Sequence, residues 1–116
     1  MVLFIDTVSP VPKIILSSNN ILSSVEIPIN NDIQISESLI IKLLKTFKNN
    51  FDIKKIKKIG VCTGPGSFTG LRMGIATAIG FKTALNLPLY GFTAFEILLN
   101  YSRSNYSSKN IYISVC

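Results

Sequence analysis

A chain of 116 residues is enough for one domain or one lobe, burying roughly 65% of its unfolded surface. Its 47% apolar and 16% charged residues describe a core-forming globular sequence, and no run approaches the roughly 18 apolar residues of a membrane span. With no histidine, two cysteines and six scattered acids, no disulfide framework, metal cluster or Ser/His or Cys/His pair can be assembled, which leaves independent hydrolysis poorly supported.

The opening residues Met1 to Asp6 offer neither a basic n-region nor an apolar h-region, and both thiols read as reduced, so a cytoplasmic protein with no membrane partner is expected. Val2 to Ile5 is an apolar strand closed by Asp6 and Thr7, and a second strand runs from Lys13 to Leu16. Ser18-Asn19-Asn20 suits a tight turn, so Ile21 to Ile27 should return antiparallel and complete a β-meander. Pro28 breaks it. Ser36 then serves as an N-cap with Glu37 in the first turn of a helix on which Leu39, Ile40, Leu43, Leu44 and Phe47 share a face. Asn49-Asn50 ends this helix, and Asp52 caps a short turn through the following lysines.

Lys58 to Thr63 reads as a buried strand that delivers the glycine-rich run from Thr63 to Arg72. The helix that follows, Phe68 to Leu85, would be roughly 27 Å long at 1.5 Å per residue. Gly70 and Gly74, and Ala76, Gly80 and Ala84, are spaced by four, giving tracks for close approach of another backbone at about 1 kcal/mol per glycine in helix propensity. Either the chain's own sheet fills those tracks, with Leu71, Ile75, Ala78, Ile79 and Leu85 packing inward, or a partner helix does. Leu89 to Phe92 forms another strand, Thr93-Ala94-Phe95-Glu96 matches a capping box for a helix to about Asn100, Tyr101 to Asn110 reads as a mobile loop, and Asn110 to Cys116 as a last strand. The order is βββαβαβαβ, an α/β mixed sheet with flanking helices.

A glycine-rich turn between a strand and a helix exposes backbone N–H groups at the positive end of the helix dipole, where an anion can bind. The residues that would cradle a phosphate are Gly64, Gly66, Ser67 and Thr69. The spacing nevertheless matches neither a Walker loop nor a dinucleotide fingerprint, since no Gly-Lys-Ser/Thr closes it and Thr69 stands where the third glycine belongs. The competing reading is a tight turn with close helix packing. The net charge of +6 comes largely from Lys42, Lys45, Lys48, Lys54, Lys55, Lys57 and Lys58. These lysines suit phosphate contacts, or equally a solvated face in a chain that over-uses residues with A/T-rich codons.

The run Gly64-Pro-Gly-Ser-Phe-Thr-Gly-Leu-Arg-Met-Gly74, followed by Ala76-Thr77-Ala78, resembles the signature of the bacterial TsaB (YeaZ) family. The likeness extends to Leu3-Phe4-Ile5-Asp6-Thr7, Ser36-Glu37-Ser38-Leu39 and Leu87-Pro88-Leu89-Tyr90-Gly91, while Ile35 replaces a histidine common in that family. The resemblance implies an RNase H-like lobe of the actin-like ATPase superfamily, with residues 1–116 as the N-terminal lobe and a second lobe absent. In that fold Asp6 occupies the place of a phosphate-loop acid, although Asp6-Thr7-Val8-Ser9 lacks the glycine that lets backbone approach phosphate, which leaves a turn carboxylate as the other reading.

The resemblance further implies a non-catalytic scaffold subunit in the complex that adds threonylcarbamoyl to the tRNA adenosine beside the anticodon. Its partners would be a TsaD-like catalytic subunit, a TsaE-like ATPase and, through the complex, tRNA. It would bind no cofactor alone, with ATP/ADP and metal on the partner subunits. The contact surface carried onto this chain comprises Leu39, Ile40, Leu43, Ser67, Phe68, Thr69, Leu71, Arg72 and Ile75. The same exposed faces allow a homodimer in isolation. The alternative is a small actin-like ATPase or kinase lobe holding nucleotide phosphate at Gly64 to Arg72, with Arg72 as charge partner.

Overall fold

Alternation along the first strand, β1 (Val2–Asp6), sends Leu3 and Ile5 into a fully buried layer and Phe4 to the opposite face. The computed structural model describes residues 1–18, 21–27, 41–43, 45 and 52–105. β2 (Lys13–Ser18) pairs antiparallel with β1, and β3 (Ile21–Glu26) returns antiparallel on β2 with Ser18 opposite Ile21, a register that a two-residue hairpin sets. A 3-10 turn at Ile53–Lys55, capped by the Asp52 carboxylate accepting from the Lys54 N–H at 2.9 Å, leads into β4 (Lys58–Cys62).

β4 lies parallel to β1, and β5 (Leu89–Phe92) lies parallel to β4. The connection between them is α1 (Phe68–Leu85), which packs mainly on β4. The five-stranded sheet therefore runs β3-β2-β1-β4-β5, a meander joined to a parallel β-α-β unit, in the order expected of an RNase H-like lobe. Ile14, Leu16, Ile59 and Val61 join Leu3 and Ile5 in one core with Ala78 of α1 and with Leu43.

Ile41, Lys42, Leu43 and Lys45 are helical, while most of the helix expected over Ser36 to Phe47, and the strand expected over Asn110 to Cys116, lie outside the described residues. Two expectations are corrected. The last described helix, α2 (Ala94–Asn105), runs five residues beyond Asn100 into the Ser/Asn/Tyr-rich segment expected to be a loop. Ile79, expected to pack on the sheet, is 49% exposed and faces outward. The capping box is present: the Thr93 N–H donates to the Glu96 carboxylate at 2.7 Å and the Glu96 N–H to Thr93 Oγ1 at 3.2 Å. Among the described residues no helix is long and apolar enough to cross a membrane.

Candidate functional site

The glycine-rich loop leaves β4 at the sheet edge where β1 also ends, so the two chain turns after parallel neighbouring strands meet. Gly64 has φ +102°, a conformation that side chains disfavour, and its carbonyl accepts the Ala94 N–H at 2.8 Å, tying the loop to the start of α2. Ser67 caps α1, its Oγ accepting from the Gly70 N–H at 3.0 Å.

The helix then passes close beneath the β1–β2 turn. Thr7 is 3% exposed, and its Oγ1 donates to the Gly70 carbonyl at 2.6 Å. A Cβ on Gly70 would lie 2.3 Å from the Thr7 carbonyl oxygen, and one on Gly74 2.2 Å from Thr7 Oγ1. These two glycines with Ala78 are the buried residues of α1, so this half of the small-residue track is filled by the chain's own turn. A Cβ on Gly66 would likewise run into the Val8 side chain at 2.0 Å.

Asp6 organises that turn. Its Oδ1 accepts the Val8 and Ser9 N–H groups at 3.0 Å each, and its Oδ2 accepts the Ser9 hydroxyl. This is the turn-carboxylate arrangement: the amides of the turn donate to the carboxylate that opens it. The Cys62 thiol is pushed up by burial, against a hydrogen bond with the Gly64 backbone that lowers it, with the nearby Asp6 charge adding to the rise. Together Asp6, Ser9, Cys62, Ser67 and the α2 residues Ile97 and Leu98 line a cleft of about 440 Å³ whose walls are mostly apolar. Among the described residues no cluster of His, Cys, Asp or Glu has the makings of a metal site.

The residues expected at a partner surface separate into three groups. Ser67, Phe68, Thr69 and Arg72 are exposed on α1, with the Arg72 guanidinium 5.3 Å from the centre of the Phe68 ring and Phe68 itself 73% exposed. Leu71 and Ile75 are half-buried, Ile75 packing against the core. Leu43 is 1% exposed and belongs to the core, so its side chain is not available to a partner, while Leu39 and Ile40 lie outside the described residues. Of the candidate phosphate residues, Gly64 carries the turn, Gly66 packs under Val8, Ser67 caps the helix and Thr69 is exposed.

Ala76 and Gly80, on the track that the spacing left open to the sheet or to a partner helix, continue the exposed face of α1 beyond Phe68 and Arg72, and Ile79, expected on the sheet, joins them. A Cβ on Gly80 would meet nothing within 4 Å, so among the described residues no contact requires glycine at this position.

Residues 29–112 match the family model described as TsaD, tRNA N6-adenosine threonylcarbamoyltransferase. The chain is 30% identical over 63 residues to the tRNA threonylcarbamoyladenosine biosynthesis protein TsaB of Buchnera aphidicola subsp. Schizaphis graminum, a match covering 54% of this chain and 30% of that protein. It is 44% identical over 41 residues to the protein of the same name from Buchnera aphidicola subsp. Baizongia pistaciae, covering 35% of this chain and 19% of the relative. Its fold superimposes on YeaZ from Pseudomonas aeruginosa with a TM-score of 0.74 at 21% identity, covering 90% of this chain and 48% of that one. The chain thus spans about half the length of its solved relative. A five-stranded mixed sheet of RNase H-like order and the family match over residues 29–112 agree: the chain belongs to the TsaD family, and within its matched stretches it is similar to TsaB proteins.

Proposed function

We propose that this chain is a non-catalytic scaffold subunit in threonylcarbamoyladenosine biosynthesis on tRNA, binding and activating a TsaD-like catalytic subunit through the outward face of α1. The observation that carries the reading is the state of that face. Phe68, Arg72, Ala76, Ile79 and Gly80 are all exposed along one side of the helix, and Gly80 has open space where a Cβ would stand. A helix-interior glycine costs about 1 kcal/mol relative to alanine, and among the described residues nothing offsets that cost. A partner helix approaching along Gly80 and Ala84 would. Adjacent shallow hollows, one between Thr77, Gly80, Phe81 and Ala84 and one between Phe68, Thr69, Arg72, Met73 and Ala76, would receive its side chains. Catalysis, the metal and ATP/ADP belong in this reading to the partner subunits, a TsaE-like ATPase among them.

A nucleotide-binding lobe with phosphate at Gly64 to Arg72 finds less support, because Ser67 Oγ already accepts the Gly70 N–H at the start of α1 and Gly66 packs against Val8. Size-exclusion chromatography with light scattering, on this chain alone and mixed with the TsaD-like subunit of the same cell, tests the proposal. A one-to-one complex lost on Ile79→Lys or Gly80→Leu is expected. No complex, or one indifferent to both substitutions, refutes the assignment, and a thermal shift with millimolar ATP would favour the nucleotide lobe instead.

A further inference from the structure

The sheet edge opposite the glycine loop has a different character. β1 and β4 start there side by side, with Val2 opposite Lys58 and the Lys57 N–H donating to the Met1 carbonyl at 2.9 Å. The 3-10 turn carrying Lys54 and Lys55 immediately precedes them. α1 runs back to the same edge, since its C-cap leads through Pro88, whose carbonyl accepts the Ile59 N–H at 3.0 Å, and this places Lys82 of its last turn there too.

All five lysines are exposed, and among the described residues Asp52 is the only acid at this end. Asp6, Glu26 and Glu96 sit at the other end, at the finish of β1, of β3 and beyond β5. Among the described residues the cations therefore concentrate at one end of the strands, away from the proposed α1 entry point at Phe68, while the acidic end also carries Lys13 and Arg72.

Beside the lysine-rich end, none of the described residues covers the hollow on the sheet face away from the core. Val2, Phe4, Lys58, Gly60, Tyr90 and Phe92 line a hollow of about 370 Å³. Tyr90 is 47% exposed and Phe92 39%, with Phe92 tilted against Phe4 at a centroid distance of 6.1 Å. Gly60 lies directly under the Phe4 ring, where a Cβ would come within 2.6 Å of it. Aromatic rings standing on a β-sheet next to a row of lysines form a surface on which unpaired bases stack while the lysines meet the phosphates.

We propose that this lysine edge and the Tyr90–Phe92 face bind a single-stranded segment of RNA. The choice of tRNA as its source rests on the function proposed above. An acidic peptide or an anionic membrane would use the lysines and leave the aromatic hollow without a role.

The test is fluorescence anisotropy of a labelled, unmodified tRNA transcript titrated with the full chain over a range of salt. If all five lysines engage, log K falls with log salt at a slope near −3.5, about a hundred-fold weaker binding at 200 mM than at 50 mM. Lys57→Ala and Lys58→Ala should each weaken binding and reduce that slope by about 0.7, whereas Lys13→Ala, at the opposite edge, removes the same charge without effect. Tyr90→Ala should lower affinity roughly tenfold and Tyr90→Phe should restore it, because stacking needs the ring and not the hydroxyl.

Absence of binding at 50 mM salt, or equal losses for Lys58→Ala and Lys13→Ala, overturns the proposal. So does equal, Tyr90-independent binding of polyglutamate or of phosphatidylserine vesicles. Since the measurement uses this chain alone, its failure leaves the complex with a TsaD-like subunit standing, and loss of that complex leaves RNA binding standing.

Discussion

Gly70, Gly74 and Gly80 lie on one helix yet should respond to alanine in different ways, because only two of them face Thr7. At Gly80 the added methyl meets open space, so Gly80→Ala should stabilise the chain by close to the propensity difference of about 1 kcal/mol. At Gly70 the methyl would stand 2.3 Å from the Thr7 carbonyl oxygen, a backbone atom that no rotamer change can move. The overpacking cost of about 1–3 kcal/mol and the loss of the Thr7–Gly70 hydrogen bond, about 1 kcal/mol, outweigh the helical gain, for a net loss of about 2 kcal/mol. At Gly74 the obstacle is Thr7 Oγ1, 2.2 Å away, which belongs to a side chain that can be removed. Thr7→Ala should therefore relieve Gly74→Ala, with a coupling of about 1–2 kcal/mol, while at Gly70 it removes only the hydrogen-bond part of the cost and leaves the clash with the Thr7 backbone oxygen in place. Urea unfolding followed by circular dichroism, with m unchanged across the set, reads these differences directly. Equal destabilisation by Gly70→Ala and Gly80→Ala, or no relief of Gly74→Ala by Thr7→Ala, would refute the packing account of the glycine-rich signature.

The Asp6 carboxylate holds the turn that presses on those glycines. Asp6→Ala leaves the Val8 and Ser9 N–H groups and the Ser9 hydroxyl without their acceptor and should cost about 2 kcal/mol by the same urea assay, whereas Asp6→Asn keeps one acceptor oxygen and should cost less; a neutral Asp6→Ala would contradict the role assigned to it. Glu96 is held below its ordinary value of 4.5 by hydrogen bonds from the Thr93 backbone N–H and then the Thr93 hydroxyl. A depressed carboxylate pKa contributes stability that is present above the ordinary value and disappears as pH falls through the lower folded one, so the start of α2 should loosen over that acidic interval. A carboxyl NMR titration of Glu96 checks the direction, and Thr93→Ala should return Glu96 toward its ordinary value.

Most of the local structure was legible because local rules govern it. The span of α1 from Phe68 to Leu85, the β-meander and the Thr93–Glu96 capping box all follow from periodicity, breakers and a short motif, and each is present. The end of α2 was not legible: Tyr101 to Asn105 has the composition of a loop, yet the helix continues through it. Nor was the Ser67 cap marked by a capping box, since Gly70 stands where Glu or Gln would complete the motif. The glycine-rich loop posed a harder problem. Its spacing matched no nucleotide template and favoured a packing turn, but the neighbour it packs against, Thr7, lies 63 residues away from Gly70 in sequence.

That distant contact also shows why a signature that looks like a nucleotide loop need not hold a nucleotide. The turn after β1 and the turn after β4 compete for the same space at the strand ends, and in this chain the first turn wins it: Asp6 draws its own amides inward and Thr7 drops into the groove that Gly70 and Gly74 leave. A phosphate at this place would have to displace the carboxylate from both amides and then face its charge at short range. The glycines are therefore explained as far as Gly74 by folding alone. At Gly80 the Thr7 contact no longer applies, and no described residue accounts for a helix-interior glycine there, which is why the α1 face beginning at Phe68 carries the functional reading while the loop that announces the family carries the fold.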